Sequence, residues 1–324
     1  MKLPNSDVRL ALIGCGRWGR NYIKTVGDFS GAVLTCAASS NPETKKLVSA
    51  DCVVVADWRE LITRDDIDGV IIATPPASHF EIASNFIEAG FPVLIEKPLT
   101  MDIEEAEGLL AIADKSNATV MVDHIHLFHP AYRMLKQRAK SHGDIRKLFG
   151  RAGNWGPFRN DTPLLWDWGA HDVALCLDLM GALPDRVHAK KIGSRKIEDG
   201  FGETVSIEIA FQGGATGDIE ISNLKDAKER MLRVEWVDTA LIYDDVGYSP
   251  LIYESRSDVG GVAEISTTPI DVKDDLPLNI VIRDFSESIR SGVRQLDDLN
   301  LGVNVVRVLD RLQTSLTNES VVTM

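Results

Sequence analysis

The stretch Val8–Gly19, VRLALIGCGRWG, decides the fold. A largely apolar run from Val8 to Ile13 stops at Gly14, Gly16 and Gly19, and a helix-compatible segment carrying Tyr22, Ile23 and Val26 follows. That order predicts strand, tight turn and helix. In a G-x-G-x-x-G arrangement the first glycine permits the turn, the second lets the backbone approach a pyrophosphate, and the third lets the helix pack closely. The start of the helix offers unpaired N–H groups to the anion. Gly14, Gly16 and Gly19, with Arg17 and Trp18 between them, are therefore candidate cofactor-binding residues, although the pattern alone also fits an ordinary glycine-rich turn.

At 324 residues the chain has room for two domains. Its formal net charge of -13 argues against nucleic acid as a partner, because phosphate binding wants a basic surface. Cys15, Cys36, Cys52 and Cys176 are scattered without a C-x-x-C pair, which fits buried thiols in a reducing cytoplasm better than a zinc cluster or a disulfide framework. The first seven residues lack the apolar core of a signal peptide, and no later run is long enough to span a bilayer. A soluble, cytoplasmic protein without membrane association is expected.

Beyond the first helix, Ala32–Ala38 reads as a second strand ending in Ser39, Ser40, Asn41 and Pro42, before a helix over Glu43–Ser49. NAD-preferring dinucleotide folds usually carry an acidic residue here, roughly 20 residues past the glycines, to hold the ribose diol. Ser39 in its place removes a repulsion against a 2'-phosphate. The cofactor expectation is NADP or NAD, with NADP slightly favoured and Ser39 and Ser40 as contacts. Val53–Val55 and Gly69–Thr74 read as further strands, the latter running into Pro75 and Pro76, and a helix over Ser78–Ala89 ends at Gly90. Pro92–Glu96 delivers Glu96, Lys97 and Pro98 to the same carboxyl edge, where ligands of doubly wound folds bind. Asp102 with Glu105 predicts a capping box for a helix over Ile103–Ser116, and Thr119–Asp123 is a sixth strand. Strands alternating with helices imply a parallel sheet.

The glycine fingerprint, ATPPASH at 73–79 and EKPLT at 96–100 together resemble the Gfo/Idh/MocA family of NAD(P)-dependent oxidoreductases. The resemblance implies an α/β Rossmann-type dinucleotide-binding domain, placed at 1–124. An α+β domain with an open, mostly antiparallel sheet would follow at 125–324, serving substrate binding and oligomerisation. It also implies cofactor contacts at Thr74, Pro75, His79, Glu96 and Lys97, with Lys97 beside the nicotinamide and the reacting hydroxyl. In DHIHLFHP, 123–130, three histidines invite a metal reading, but no carboxylate or thiol completes a ligand set, so no metal is expected. His124 is placed as a substrate-facing residue, and His126 and His129 as structural ones. Where relatives often have an arginine before the phenylalanine of this segment, the chain has Leu127.

Pro130–Ser141 reads as a helix and IRKLFGRAGN, 145–154, as a strand, after which a loop passes Trp155, Arg159 and Trp166. These three are candidate substrate contacts, since long irregular loops in compact domains are usually functional. Asp167 and His171 then stand four apart near the start of a helix ending at Gly181. If that helix begins near Gly169, both side chains can face one cleft. They match the D-x-x-x-H pair of the resembled family, in which the histidine exchanges a proton and the aspartate binds substrate hydroxyls. An imidazole with an ordinary pKa near 6.5 suits the removal of an alcohol proton as hydride leaves.

The remainder alternates with period two over 205–211, 218–222 and 232–236, as half-buried antiparallel strands do, and closes with helices over Ile280–Ser291 and Leu299–Leu316. The resemblance further implies a homodimer or homotetramer paired through this sheet. The function expected is hydride transfer between a nicotinamide cofactor and a hydroxyl or keto group of a sugar, polyol or nucleotide sugar. Lys97, Asp167 and His171 are the catalytic set. An NAD-dependent glycosidase using transient oxidation and a non-catalytic cofactor sensor are the alternatives.

Overall fold

The computed structural model describes residues 7–197, 200–259 and 262–324. The chain divides into two compact units, Met1–Ile125 with Leu276–Val306, and His126–Asp275 with Arg307–Met324.

The first unit is a six-stranded parallel sheet in the order β3-β2-β1-β4-β5-β6. Its strands are β1 (Val8–Ile13), β2 (Ala32–Ala38), β3 (Val53–Val55), β4 (Gly69–Ile72), β5 (Val93–Glu96) and β6 (Val120–Asp123). The connecting helices are α1 (Gly19–Asp28), α2 (His79–Glu88) and α3 (Ile103–Lys115). Leu10, Leu12, Val70, Ile71, Val93, Leu94 and Ile95 are completely buried, which is why these strands read as near-continuous apolar runs: helices cover a parallel sheet on both faces. Asp102 caps α3, its carboxylate accepting from the N–H groups of Glu104 and Glu105. The segment expected as a helix over Glu43–Ser49 is only a short 3-10 turn, Pro42–Lys46, nucleated by the Asn41 side chain.

The second unit holds α4 (Pro130–Ala139), β7 (Lys147–Trp155), α5 (Ala170–Met180), β8 (Arg186–Ile197), β9 (Gly200–Ala210), β10 (Thr216–Ser222), β11 (Leu224–Glu235), β12 (Thr239–Asp244), β13 (Leu251–Val259) and β14 (Val262–Pro269). The chain closes with α6 (Pro277–Ser291), α7 (Asp297–Asn318) and β15 (Val322–Thr323). A nine-stranded open sheet runs β14-β13-β12-β11-β7-β10-β9-β8-β15, antiparallel except where β10 pairs with β7. Strands β8, β12, β13, β14 and β15 extend the sheet beyond the alternating segments read from sequence. Residues 190–197 of β8 and 264–269 of β14 are mostly exposed and polar, so no apolar period marks them.

The division also differs from a single boundary at 124. Helix α6 and the first part of α7 return to the first unit. A Cβ on Gly69 of β4 would meet Ile289 and Phe285 of α6, and a Cβ on Gly302 of α7 would lie 2.9 Å from Val122 of β6. An amphipathic helix read from sequence shows that it has a packing face but not which sheet it covers.

Candidate active site

In the first unit the sequence-selected cofactor residues lie at the carboxyl ends of strands β1, β2, β4 and β5 or between those ends and the first residues of α1 and α2. Gly14 follows β1 with φ +93°, and a Cβ there would lie 2.7 Å from the Ala73 carbonyl, so only glycine permits the turn. A Cβ on Gly19 would lie 2.0 Å from the Gly14 oxygen, whereas a Cβ on Gly16 would meet nothing within 4 Å. The first and third glycines thus close the turn on itself, and the second leaves open space over the start of α1. That is the cradle a pyrophosphate needs, so these residues fit a dinucleotide. Arg17 and Trp18 border it and are exposed.

Ser39 ends β2. Its Oγ accepts hydrogen bonds from the Thr44 hydroxyl at 2.8 Å and the Asn41 N–H at 3.2 Å, and Ser40 beside it is exposed. After β4, Thr74 Oγ1 is bonded to Ser78, and Pro75 is exposed. His79 is fully buried. Its Nε2 lies 2.8 Å from the Thr74 oxygen and its Nδ1 faces the Pro98 and Leu99 carbonyls at 3.1 and 3.2 Å. The ring therefore braces the loop after β4 against the loop after β5; burial lowers its pKa, while those carbonyls act to raise it.

Glu96 is buried at the end of β5, and Lys97 follows it half-buried. Tyr22 of α1 donates from its hydroxyl to this cluster, lying 2.8 Å from Glu96 Oε1 and 2.5 Å from Asp123 Oδ2 of β6. Burial pushes the Glu96 carboxyl well above its ordinary range and Asp123 to about 6. The Asp123 charge raises Glu96 further, and Lys97 acts on both in the opposite sense. Glu96 is thus spent inside the unit, tying the glycine-turn helix to the strand that carries Lys97. The sequence pattern marks Tyr22 only as a member of a helix-compatible segment.

His124, one residue beyond β6, is buried, and neither ring nitrogen finds a hydrogen-bond partner among the described residues; nor does Asp123 Oδ1. Burial, with the Lys97 charge second, lowers the His124 pKa to about 3, so the ring is neutral.

In the second unit the catalytic candidates come from one helical turn. A π-helical turn over Leu165–Gly169 precedes α5, so the helical backbone starts before Asp167 instead of near Gly169. Single π turns insert where a site must aim a side chain. From Leu164 to Leu177 the residues are buried except Asp167, Trp168 and His171. Trp166, selected from sequence as a substrate contact, is 5% exposed and belongs to the core; Trp168 is the indole that emerges. Trp155, at the end of β7, is half exposed and packs edge-on against Phe158.

His126 packs edge-to-face on His171 at 4.9 Å, and its Nδ1 is 3.0 Å from the Tyr243 hydroxyl. Burial, with Arg230 second, holds His126 neutral. His129 caps α4, its Nδ1 accepting from the Ala131 N–H. Under the π turn lies a buried ion pair: Arg230 Nη1 donates to Asp172 Oδ2 at 2.8 Å, and the guanidinium sits 5.6 Å from the Trp168 ring. Arg159 Nε and Nη2 both donate to the Asp161 carboxylate, at 3.0 and 2.8 Å, and Nη1 lies 3.6 Å from Asp167.

A glycine cradle built for a dinucleotide, in a doubly wound sheet followed by an open antiparallel one, defines a dinucleotide-binding protein with a second, sheet-built unit. Comparison with known proteins agrees. Residues 8–124 match the family model described as oxidoreductase family, NAD-binding Rossmann fold. A solved structure from Magnetospirillum magnetotacticum MS-1 is 40% identical, covers 94% of this chain and 99% of its own, and superposes with a TM-score of 0.86. UDP-N-acetylglucosamine 3-dehydrogenase from Acidithiobacillus ferrooxidans is 27% identical over 87% of this chain and 88% of its own. The scyllo-inositol 2-dehydrogenase (NAD(+)) of Bacillus subtilis is 28% identical over 67% of each. The chain belongs to the Gfo/Idh/MocA family. It is an NAD(P)-dependent oxidoreductase acting on CH–OH groups, and these relatives favour neither the glycosidase nor the sensor alternative.

Proposed function

We propose that the chain interconverts a hydroxyl and the corresponding keto group of a sugar or polyol, with Lys97, Asp167 and His171 as its working side chains. The nicotinamide, when bound, accepts or returns the hydride. Lys97 places and polarises the reacting oxygen, the His171 imidazole takes the hydroxyl proton as hydride leaves carbon, and Asp167 accepts a hydrogen bond from a neighbouring hydroxyl. The observation that carries this reading is the emergence of Asp167 and His171, with Trp168, from an otherwise buried turn. The relatives named as sugar-derivative and inositol dehydrogenases support the substrate class.

NADP is the proposed preference, with NAD accepted. Ser39 and Ser40 bring hydroxyls and no charge to the end of β2, and the exposed Arg17 and Lys45 supply cations near a 2'-phosphate. His124 is proposed to face substrate, its unpartnered nitrogens being available to it. A homodimer or homotetramer through the nine-stranded sheet and a reducing, cytoplasmic setting complete the reading, the latter supported by four buried free thiols. Among the described residues no helix is long and apolar enough to cross a membrane.

The test is steady-state kinetics with a panel of sugars and polyols and both cofactors. Lys97→Ala and His171→Ala are each expected to lower kcat by about a hundredfold or more while cofactor titrations stay near wild type. Near-normal turnover in either variant removes that residue from the chemistry.

A further inference from the structure

Glu96 and Asp123 close strands β5 and β6, and the parallel register sets them side by side. Partnered positions on neighbouring strands put both side chains on one face of the sheet. Tyr22, in the first turn of α1, reaches both carboxyls with one hydroxyl, and all three residues are buried.

The hydrogen bonds of this cluster fix how many protons it holds. The Tyr22 oxygen lies 2.8 Å from Glu96 Oε1 and 2.5 Å from Asp123 Oδ2, and the two carboxyl groups are within hydrogen-bonding range of each other. A phenol has one proton to give, and an ionised carboxylate has none. With both carboxyls ionised, one hydrogen would serve three contacts between acceptors, and two like charges would share a site closed to water. One further proton, held between the carboxyls, turns a second contact into a bond and leaves a single negative charge, as in other close carboxyl pairs. Burial acts in the same direction, raising both groups.

That charge faces Lys97. The lysine follows Glu96 directly, and among the described residues it is the cation whose charge acts on both carboxyls. His124, next after Asp123, is buried and neutral and adds no charge. Asp123 Oδ1 has no hydrogen-bond partner among the described residues, so on that carboxyl no donor outside the cluster disperses the charge. One carboxylate against one ammonium balances, whereas two carboxylates or none would not.

We propose that Glu96 and Asp123 share one buried proton beneath the Tyr22 hydroxyl and act as positioning residues that present Lys97 with a single counter-charge. The proposal rests on the placing of Lys97 beside the reacting hydroxyl. Lys97 then keeps its own proton while it polarises the substrate oxygen, and Tyr22 clamps the pair from α1.

An amide in place of either acid tests this, because its N–H replaces the shared proton while the remaining carboxyl keeps the charge. Infrared spectra of the full-length protein at pH 7 should show the carbonyl stretch of a protonated carboxylic acid, shifted in heavy water, and Asp123→Asn and Glu96→Gln should each lose it. Acetylation with acetic anhydride at pH 8, read at Lys97 by mass spectrometry against a free-amine standard, follows the charge, since only the neutral amine reacts. Each single variant should label Lys97 within about twofold of the wild type, and the two substitutions together should label it about tenfold faster, the effect of removing a nearby opposite charge.

No acid band in the wild type, or a band that persists in both single variants, overturns the shared proton. Equal labelling of Lys97 in the wild type and the double variant overturns the link to Lys97, as does tenfold faster labelling in either single variant. The single variants alone test both points, so the proposal stays exposed where the double variant does not fold. If the infrared and labelling results are as expected but Lys97→Ala turns over normally, the carboxyl pair stands and the role of Lys97 in the reaction falls instead.

Discussion

Replacing His124 by leucine should make the protein more resistant to acid. The ordinary imidazole pKa near 6.5 applies to the unfolded chain, and burial holds the folded value at about 3. Between those values the folded protein binds fewer protons than the unfolded one, so stability rises with pH across the window and is lost as pH falls through it. The slope approaches 1.4 kcal/mol per pH unit, and going from pH 7 to pH 5 this residue withdraws about 2 kcal/mol. Asp123 works the other way: its carboxyl, pushed up to about 6, favours the folded state as pH falls from about 6 to about 4, which masks part of the loss in the wild type. Comparing His124→Leu with the wild type cancels that masking. Urea unfolding at pH 7 and pH 5, at constant m, reads the difference directly. The variant should be near or above wild-type stability at pH 7, because the ring nitrogens it loses have no partner among the described residues, and should gain about 2 kcal/mol on the wild type at pH 5. Parallel pH dependence in the two proteins would refute the buried neutral imidazole.

Asp172→Ala strands Arg230 in the core and should cost about 3–5 kcal/mol; Asp172→Leu with Arg230→Met should recover most of that in thermal melts while kcat stays low, because Trp168 has lost its backing. Gly14→Ala should fail to accumulate as folded protein, whereas Gly16→Ala should fold with an unchanged circular dichroism spectrum and bind the dinucleotide about tenfold more weakly, its methyl standing where the pyrophosphate approaches. Ser39→Asp can keep both acceptor bonds from Thr44 and Asn41 while adding a charge. It should move the kcat/KM ratio toward NAD by about tenfold or more, and a wild type already strongly selective for NAD would defeat the NADP assignment.

The first unit was legible because its signals are local. A parallel strand buried on both faces needs a continuous apolar run, and a turn that brings backbone to backbone needs glycine, so Val8–Gly19 carried strand, turn and helix with little dependence on the rest of the chain. The second unit was legible only where one sheet face is buried. Ile207, Ile209, Ile219 and Ile221 alternate because they pack inward, while residues 264–269 of β14 are exposed and give no period to read. Trp166 and Trp168 show the same limit inside the site. Both are tryptophans flanking Asp167, and which one emerges depends on a single inserted π turn that no residue type announces. The roles of Tyr22 and Arg230 are not legible in the sequence for a related reason: each acts through partners distant along the chain, Glu96 and Asp123 for one, Asp172 for the other.

What distinguishes the site regions physically is where hydrogen bonding is left incomplete. Among the described residues, the unpartnered buried atoms of the first unit are Asp123 Oδ1 and both nitrogens of His124, at the end of β6, and Ser286 Oγ of α6; in the second they include Thr162 Oγ1, shortly before the π turn, and Asp172 Oδ1 under it. Each such atom costs about 1–3 kcal/mol if nothing satisfies it. Elsewhere the interior gives Tyr22, His79, Arg230 and Asn223 internal partners, so atoms left without one stand out. The supporting residues are closed on themselves and rigid, and the residues they support are open. That division holds a polar group in place before a ligand arrives, so the ordering cost is met in folding instead of binding. It also separates two kinds of mutational effect at neutral pH: substitutions at Tyr22, His79 or Arg230 should be read in stability, and substitutions at His124 in ligand affinity, its effect on stability appearing only in acid.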